Sequence, residues 1–477
     1  MTESPNQPSS TATAAAASTD GTTDELKPGL KLRHLTMMGL GSAIGAGLFL
    51  GTGVGIKAAG PAVLISYLIA TFIVVMVMRI LGELSAASPS SGSFASYAAE
   101  AFGPRIGFTT GWLYWFMLIM VLGAEMTAAG AIMGNWWGVE PWIPALVAVL
   151  FFTVVNFAAV RGFGEFEFWF AFIKVAVIVA FLIIGALLVF GLLPGTEFVG
   201  TTHIEESGFF PNGFEGVAAG LLAVAFAFGG IEIVTIAAAE SEDPTRSISA
   251  AVRSVIFRIT VFYLGSVLLI ILLLPYATID GANAAADSPF TKVLELANIP
   301  GAVMFMEVVI VLALLSAFNA QIYATSRLVY SMAHRGEAPR IFGKLNRNNV
   351  PQTAVVLSVV MAFGTVGLQM WNPANLMEFL LNAVGGCLLV IWFLIAASQL
   401  RLRPRYEAAG EMPIKVGAFP YTTWLTLALI AGLTLLMLFD DSARQQVIAV
   451  AVVVIVLYVL ALIFLRPTAK STATQPE

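Results

Sequence analysis

Twelve long apolar runs constrain what this 477-residue chain can fold into more than any other feature of its sequence. Each run is about long enough to cross a ~30 Å hydrocarbon layer as an α-helix that rises ~1.5 Å per residue. The runs are continuously apolar, whereas the strands of a membrane barrel alternate apolar with polar residues, so we predict helices. The predicted spans are residues 37–56, 62–84, 107–134, 141–160, 168–193, 214–239, 255–276, 300–332, 353–370, 375–398, 420–439 and 445–466.

The composition excludes several soluble classes of protein. Hydrophobic residues make up 58% of the chain and charged residues 11%, whereas a soluble domain has roughly 45–50% and about 25%. A soluble enzyme, a DNA-binding protein and a disordered scaffold are therefore excluded. The net charge of −5 predicts no nucleic-acid partner. With one cysteine, Cys387, and three scattered histidines, we expect neither an intramolecular disulfide nor a metal site.

The placement of Lys and Arg predicts the orientation. With the N-terminus inside, eighteen of the 24 basic residues fall on cytoplasmic segments and three on outside segments, which satisfies the positive-inside rule. We therefore expect a multi-pass protein of a bacterial-type plasma (inner) membrane, with both termini cytoplasmic. Residues 1–28 are expected to be a disordered tail, residues 29–466 the membrane domain, and residues 467–477 a second short tail.

Two spans carry glycines that weaken a continuous helix. The first has four glycines within residues 39–47, and the sixth has a Gly-Gly pair followed by an acid within residues 226–232. Interrupted helices at matching places in two halves are typical of transporters built from an inverted repeat. Free N–H groups at one break suit a carboxylate and free carbonyls at the other suit an ammonium, so a zwitterionic amino acid is indicated. The alternative is helix packing, since Gly41 and Gly45 form a GxxxG pattern.

Ionisable residues inside spans cost at least ~2.5–3.5 kcal/mol when unpaired at mid-depth, so they indicate function or a partner. We interpret Lys174 as a proton carrier, with snorkelling to the interface as the alternative. Glu232 is a candidate coupling or gate acid, or else a tether for the broken helix. Glu125 is a candidate contact for a substrate amine, or else a structural hydrogen bond. Arg79 and Glu83, four residues apart on one helix face, predict a structural ion pair.

Several motifs in order resemble those of amino acid permeases of the amino acid–polyamine–organocation superfamily. They are GSAIGAGLF at residues 41–49, a stretch from Gly60 through Glu83 to Pro89, GEFEFWFAFIKV at 164–175, FGGIEIVTIAAAESEDP at 228–244 and SAFNAQIYATSRLVYSMAHRGEAP at 316–339. Within that superfamily the chain most resembles bacterial 4-aminobutyrate (GABA) permeases. That likeness lies in GLKLRHLTM at 29–37, PNGF at 211–214, EIVTIAAAES at 232–241 and SQLRLR at 398–403.

The resemblance implies an all-α fold of twelve transmembrane helices with a leucine-transporter-type 5+5 inverted repeat. Spans 1–5 would cover about residues 37–193, spans 6–10 about 214–398, and two extra helices about 420–466. It implies a substrate carboxylate on the backbone of Gly45, Ala46 and Gly47, with an amine near the carbonyls of the second break. The predicted substrate-binding residues are Ile44, Gly45, Ala46, Gly47, Glu125, Phe226, Phe228, Gly229, Gly230 and Asn319.

The resemblance also implies a proton-coupled transporter. Lys174 matches a lysine that proton-driven relatives hold where sodium-driven ones bind a cation, and Glu232 matches a gating acid. Gly229-Gly230 replaces a more usual larger-residue–Gly pair, which leaves a looser pocket wall and room for a bulkier substrate. Phe226 and Phe228 flank this break, where an aromatic ring either closes over the substrate or only packs.

We therefore predict a secondary active transporter, not an enzyme, that imports a small zwitterionic amino acid by alternating access. GABA is the first candidate substrate; aromatic amino acids, proline and alanine, serine or glycine are alternatives, as is amino acid exchange on the same fold. A sensor is disfavoured because the tails are short and of low complexity. We expect no cofactor beyond the coupling proton and no partner beyond the substrate and the lipid bilayer.

Overall fold

The structure, a computed structural model, is all-helical over the residues that it describes. These are residues 44–88, 93–158, 163–229, 244–279, 288–346, 350–371, 373, 376–439 and 441–465, and they contain no β-strand. The α-helices are α1 (Thr52–Ala59), α2 (Val63–Ala87), α3 (Ser93–Phe102), α4 (Pro104–Trp137), α5 (Trp142–Ala158), α6 (Phe163–Val189), α7 (Thr202–Ser207), α8 (Gly213–Ala227), α9 (Pro244–Arg258), α10 (Leu264–Leu273), α11 (Pro289–Leu296), α12 (Ala302–His334), α13 (Gln352–Trp371), α14 (Leu376–Ala408), α15 (Tyr421–Met437) and α16 (Asp441–Phe464).

Apolar helical stretches long enough to cross a membrane confirm the membrane character of the chain. Eight helical stretches of the described residues meet that length and composition, and α8, α15 and most of α5 are shorter apolar helices. One of the eight, Gly47–Ala87, contains most of the first two predicted spans. The chain turns within it at Gly60, where φ is 62° and a Cβ would lie 2.3 Å from Pro211 Cγ, so only glycine fits. The twelve-span count and the inverted repeat remain predictions.

Helix α4 is the centre of the bundle. Its start and end follow from local sequence: Pro104 occupies the first turn, where its missing N–H costs nothing, and the left-handed Gly138 caps the other end. It packs against α3, α5, α12, α13, α14 and α16. Of the most apolar 18-residue stretch of α4, 78% is buried within the protein. The same share in α16 is 11%, so α16 lies at the periphery. The single cysteine, Cys387, is fully buried on α14.

The two glycine-interrupted segments lie against each other. A π-helical turn, Gly47–Gly51, precedes α1, and both elements pack against α8. A Cβ on Gly47 would lie 2.7 Å from the Cα of Ala227, so this contact requires glycine. Helix α8 ends at Ala227 and closes with a tight turn in which the Gly229 N–H donates to the carbonyl of Phe226 at 2.8 Å. We call residues 44–51 the first break and residues 226–229 the second, after their predicted roles; their contact positions the candidate site.

A buried ion pair joins α2 to α14, and it differs from the predicted one. Glu83 is fully buried and accepts hydrogen bonds from Arg403 Nη1 at 3.1 Å, Gln399 Nε2 at 2.7 Å and the N–H of Val416. Arg79 is exposed instead. The predicted Arg79–Glu83 pair is therefore corrected to Glu83–Arg403, because tertiary packing brings a buried cation from α14 to the carboxylate.

Candidate substrate site

The carboxylate of Glu125 lies at the first break. Glu125 is in the middle of α4, with 4% of its surface exposed. Its two carboxylate oxygens accept from the N–H of Ala46 at 3.1 and 3.2 Å. A Cβ on Gly45 would lie 2.4 Å from Glu125 Oε1, so the carboxylate reaches this amide only because Gly45 has no side chain. The backbone predicted to hold a substrate carboxylate thus already holds a carboxylate of the protein itself.

Lys174 is the cation next to this region. It lies on α6 with 1% of its surface exposed, and its Nζ donates to Ser316 Oγ on α12 at 3.2 Å. Lys174 also acts electrostatically on Glu125. A snorkelling lysine would leave its ammonium exposed, whereas this one is enclosed by protein. The site therefore combines a buried carboxylate on α4 with a buried lysine on α6.

Aromatic rings surround the second break. The ring of Phe228 is fully buried between Tyr67 and Tyr263, with centroid distances of 6.0 and 5.3 Å. The ring of Phe226 faces the first break, where it would lie 3.2 Å from a Cβ on Gly47. In this structure both phenylalanines pack between helices. Tyr67 is in turn anchored by a 3.0 Å hydrogen bond between its hydroxyl and that of Thr52 on α1.

Of the remaining predicted site residues, the structure describes two and leaves two outside the described ranges. Asn319 is buried on α12, one turn from Ser316, and its Oδ1 accepts from Asn156 Nδ2 on α5 at 2.8 Å. Ile44 is fully buried beside the first break. Gly230 and Glu232 lie outside the described residues.

One side of the first break is covered by α11. The hydroxyl of Ser288, which precedes that helix, donates to the carbonyl of Phe49 in the π-helical turn at 2.7 Å. The ring of Phe290 is fully buried, with centroids 5.1 Å from Phe49 and 4.5 Å from Phe181. This cluster of three aromatic rings closes the approach to the break from that side.

Sequence reasoning missed several of these residues. Ser316 could have been predicted, because it lies three positions before Asn319 and so shares a helix face with it. Asn156, Tyr67 and Tyr263 carry no local signal, since their partners come from distant elements. Among the described residues, no cluster of His, Cys, Asp and Glu could hold a metal ion.

Comparison with known proteins assigns the family. Residues 34–472 match the amino acid permease family. The chain is 67% identical to the aromatic amino acid transport protein AroP of Corynebacterium glutamicum, covering 90% of this chain and 93% of that protein. It is 41% identical to the gamma-aminobutyric acid permease of Bacillus subtilis, covering 94% and 96%. It is 42% identical to the gamma-aminobutyric acid permease of Escherichia coli, covering 89% and 91%.

These matches confirm the predicted class, a membrane transporter of amino acids rather than an enzyme. The family match spans nearly the whole chain, and residues 34–472 include all the placed site residues. Within the family, we predicted GABA permeases as the most similar proteins. They are similar, at 41% and 42% identity, but an aromatic amino acid transport protein is far more similar, at 67%. The chain belongs to the amino acid permease family.

Proposed function

We propose that this permease imports aromatic amino acids by alternating access, driven by protons. The observation that carries the substrate assignment is the 67% identity, over 90% of the chain, with an aromatic amino acid transport protein. The Phe226 ring, which lies against the first break beside Gly47, supports it, because aromatic rings favour edge-to-face and offset packing with one another. The orientation with both termini cytoplasmic is part of the proposal and rests on the basic residues.

In the proposed binding mode, the substrate carboxylate lies on the backbone of Gly45–Gly47 and the ammonium faces the carbonyls near Phe226 and Gly229. The Ala46 amide supports this mode, because its N–H already donates to a buried carboxylate, that of Glu125. An amide directed at one carboxylate suits another of the same geometry.

Lys174 is the proposed proton carrier. Intramembrane ionisable residues are typical of proton relays in transporters, and Lys174 is buried beside Ser316 and within electrostatic range of Glu125. Proton binding biases alternating access only if the two access states differ in proton affinity. Glu232 keeps its predicted gating role as part of this proposal.

GABA is the second candidate substrate. Two GABA permeases are 41% and 42% identical to the chain, which is ample for a shared fold and lower than the identity to the aromatic relative. Electrochemically passive exchange on the same fold is the alternative to proton coupling.

Uptake by the reconstituted protein tests these proposals. Labelled phenylalanine uptake into proteoliposomes is measured at two pH values, with and without sodium, against unlabelled tyrosine, tryptophan and GABA. We expect competition by tyrosine and tryptophan, none by GABA, and accumulation driven by an acidic exterior without sodium. Competition by GABA alone would overturn the aromatic assignment. Counterflow with no net uptake would overturn proton coupling.

A further inference from the structure

We propose that Glu125 is an internal competitor for the substrate carboxylate and thereby restricts the site to zwitterions. In this exchange, the incoming carboxylate displaces Glu125 from the Ala46 amide, and the freed Glu125 carboxylate pairs with the substrate's ammonium. The inference rests on the proposed binding mode, in which the substrate carboxylate uses that same amide.

The first step, displacement of Glu125 from the Ala46 amide, follows from the geometry of the first break. Within the part of the chain that the structure describes, both oxygens of Glu125 share one donor, the N–H of Ala46, at 3.1 and 3.2 Å. The carboxylate also fills the space beside Gly45, where even one added carbon would lie 2.4 Å from it. One donor and one recess hold one carboxylate at a time. A substrate therefore binds this amide only when Glu125 leaves it.

The second step, pairing of the freed Glu125 carboxylate with the substrate's ammonium, follows from the charges in the site. Glu125 is 4% exposed, so a displaced carboxylate stays inside the protein and needs a cation. Lys174 already acts on it electrostatically and also donates to Ser316 at 3.2 Å, so after substrate entry this one lysine faces two carboxylates. The ammonium of a zwitterionic substrate supplies a new cation together with the displacing anion. A simple carboxylate brings the anion alone and leaves two carboxylates in one buried site.

A purely structural hydrogen bond, which ties α4 to the first break, makes a different prediction. Under that role, loss of the Glu125 charge weakens binding of every ligand or none. Under carboxylate exchange, the same change weakens the zwitterion and strengthens the simple carboxylate. The sign of the second effect separates the two roles.

The test compares equilibrium binding of phenylalanine and 3-phenylpropionate, which lacks the ammonium, to purified wild-type and Glu125→Gln protein. Glutamine keeps the size and an acceptor oxygen but loses the charge, and its neutral hydrogen bond is about half as strong. We expect phenylalanine affinity to fall and 3-phenylpropionate affinity to rise, each by roughly tenfold or more. If Glu125→Gln rejects 3-phenylpropionate as strongly as the wild type does, the exchange is overturned.

Two further variants complete the design. Glu307→Gln is the matched control: its carboxylate accepts from Trp136 Nε1 at 2.7 Å and not from the break, so neither affinity should change. Glu125→Asp keeps the charge on an arm one carbon shorter. It should still reject 3-phenylpropionate, because the second buried carboxylate remains. Binding of 3-phenylpropionate by a folded Glu125→Asp protein would count against the exchange.

Failure of the substrate assignment is visible separately. If the wild-type protein binds GABA and not phenylalanine, the aromatic proposal fails, and the comparison is made with GABA and butyrate instead. A gain of butyrate binding in Glu125→Gln then supports the exchange, and no gain overturns it.

Discussion

Replacing Glu83 by glutamine tests the buried connection between α2 and α14. The carboxylate is fully buried and receives three donors, from Arg403, Gln399 and the backbone of Val416. Arg403 is itself 8% exposed, donates to the Val416 carbonyl at 2.8 Å and lies 4.3 Å above the ring of Phe419. The substitution keeps the shape of the side chain, removes its charge and replaces one acceptor oxygen by an NH2 group.

The expected loss follows from the number of donors. A glutamine side chain has one acceptor oxygen, which cannot serve both the Gln399 donor on one side and the two donors on the other. At least one buried donor is left unpaired, and Arg403 loses its anion while remaining buried. Removing one partner of a buried ion pair costs about 3–5 kcal/mol. We expect Glu83→Gln to lower the free energy of unfolding by that amount.

The measurement is an unfolding titration with sodium dodecyl sulfate in detergent micelles, followed by tryptophan fluorescence. Glu407→Gln is the matched control, because it removes an ion pair with Lys415 that is closer, at 2.7 Å, but whose side chains are 45% and 52% exposed. Exposed pairs contribute little, so the control should unfold close to the wild type.

Two results would refute this reasoning. The first is a Glu83→Gln titration that coincides with that of Glu407→Gln. The second comes from the double variant Glu83→Met, Arg403→Met, which removes both charges. Because no uncompensated ion remains, its loss should be smaller than the sum of the two single losses; a larger loss means that the pair itself is not what stabilises this contact.

Three further predictions concern the site and its surroundings. Gly45→Ala puts a Cβ 2.4 Å from the Glu125 carboxylate, and because such overpacking costs ~1–3 kcal/mol, we expect uptake to fall about tenfold or more. Gly364→Ala, which has open space at its Cβ, should leave uptake unchanged. Equal effects of the two substitutions would contradict the close approach. Lys174→Ala should abolish pH-driven accumulation while counterflow persists; undiminished accumulation would remove it from coupling. Ser288→Ala breaks the 2.7 Å bond to the buried Phe49 carbonyl and should lower the free energy of unfolding by about 1–3 kcal/mol in the same titration; an unchanged midpoint would contradict this.

Features set by local sequence were predictable. Continuous apolar runs predicted the membrane helices, because length and hydropathy need no tertiary information. Gly45 and Gly47 stood out in the sequence, and the structure shows that each is needed for a close approach, one to Glu125 and one to Ala227. Lys174 stood out because an unpaired cation is expensive in a membrane, and it is indeed buried.

Features set by packing between distant segments were not predictable. Four-residue spacing made Arg79 the natural partner of Glu83, yet the actual partner, Arg403, is 320 residues away in sequence. Likewise, nothing near Glu125 indicates that it binds the Ala46 amide, 79 residues earlier, rather than a substrate amine directly. A single sequence reports helix faces but not which faces meet.

The burial of the only cysteine has a practical consequence for measuring transport motions. Cys387 is fully buried on α14, so in this conformation maleimide and methanethiosulfonate reagents in water do not reach its sulfur. Because the chain has no second native thiol, spin labels or fluorophores can be attached to cysteines newly introduced at the surface with the native one left in place. Distances between such labels would then follow opening and closing in a protein that keeps its original interior.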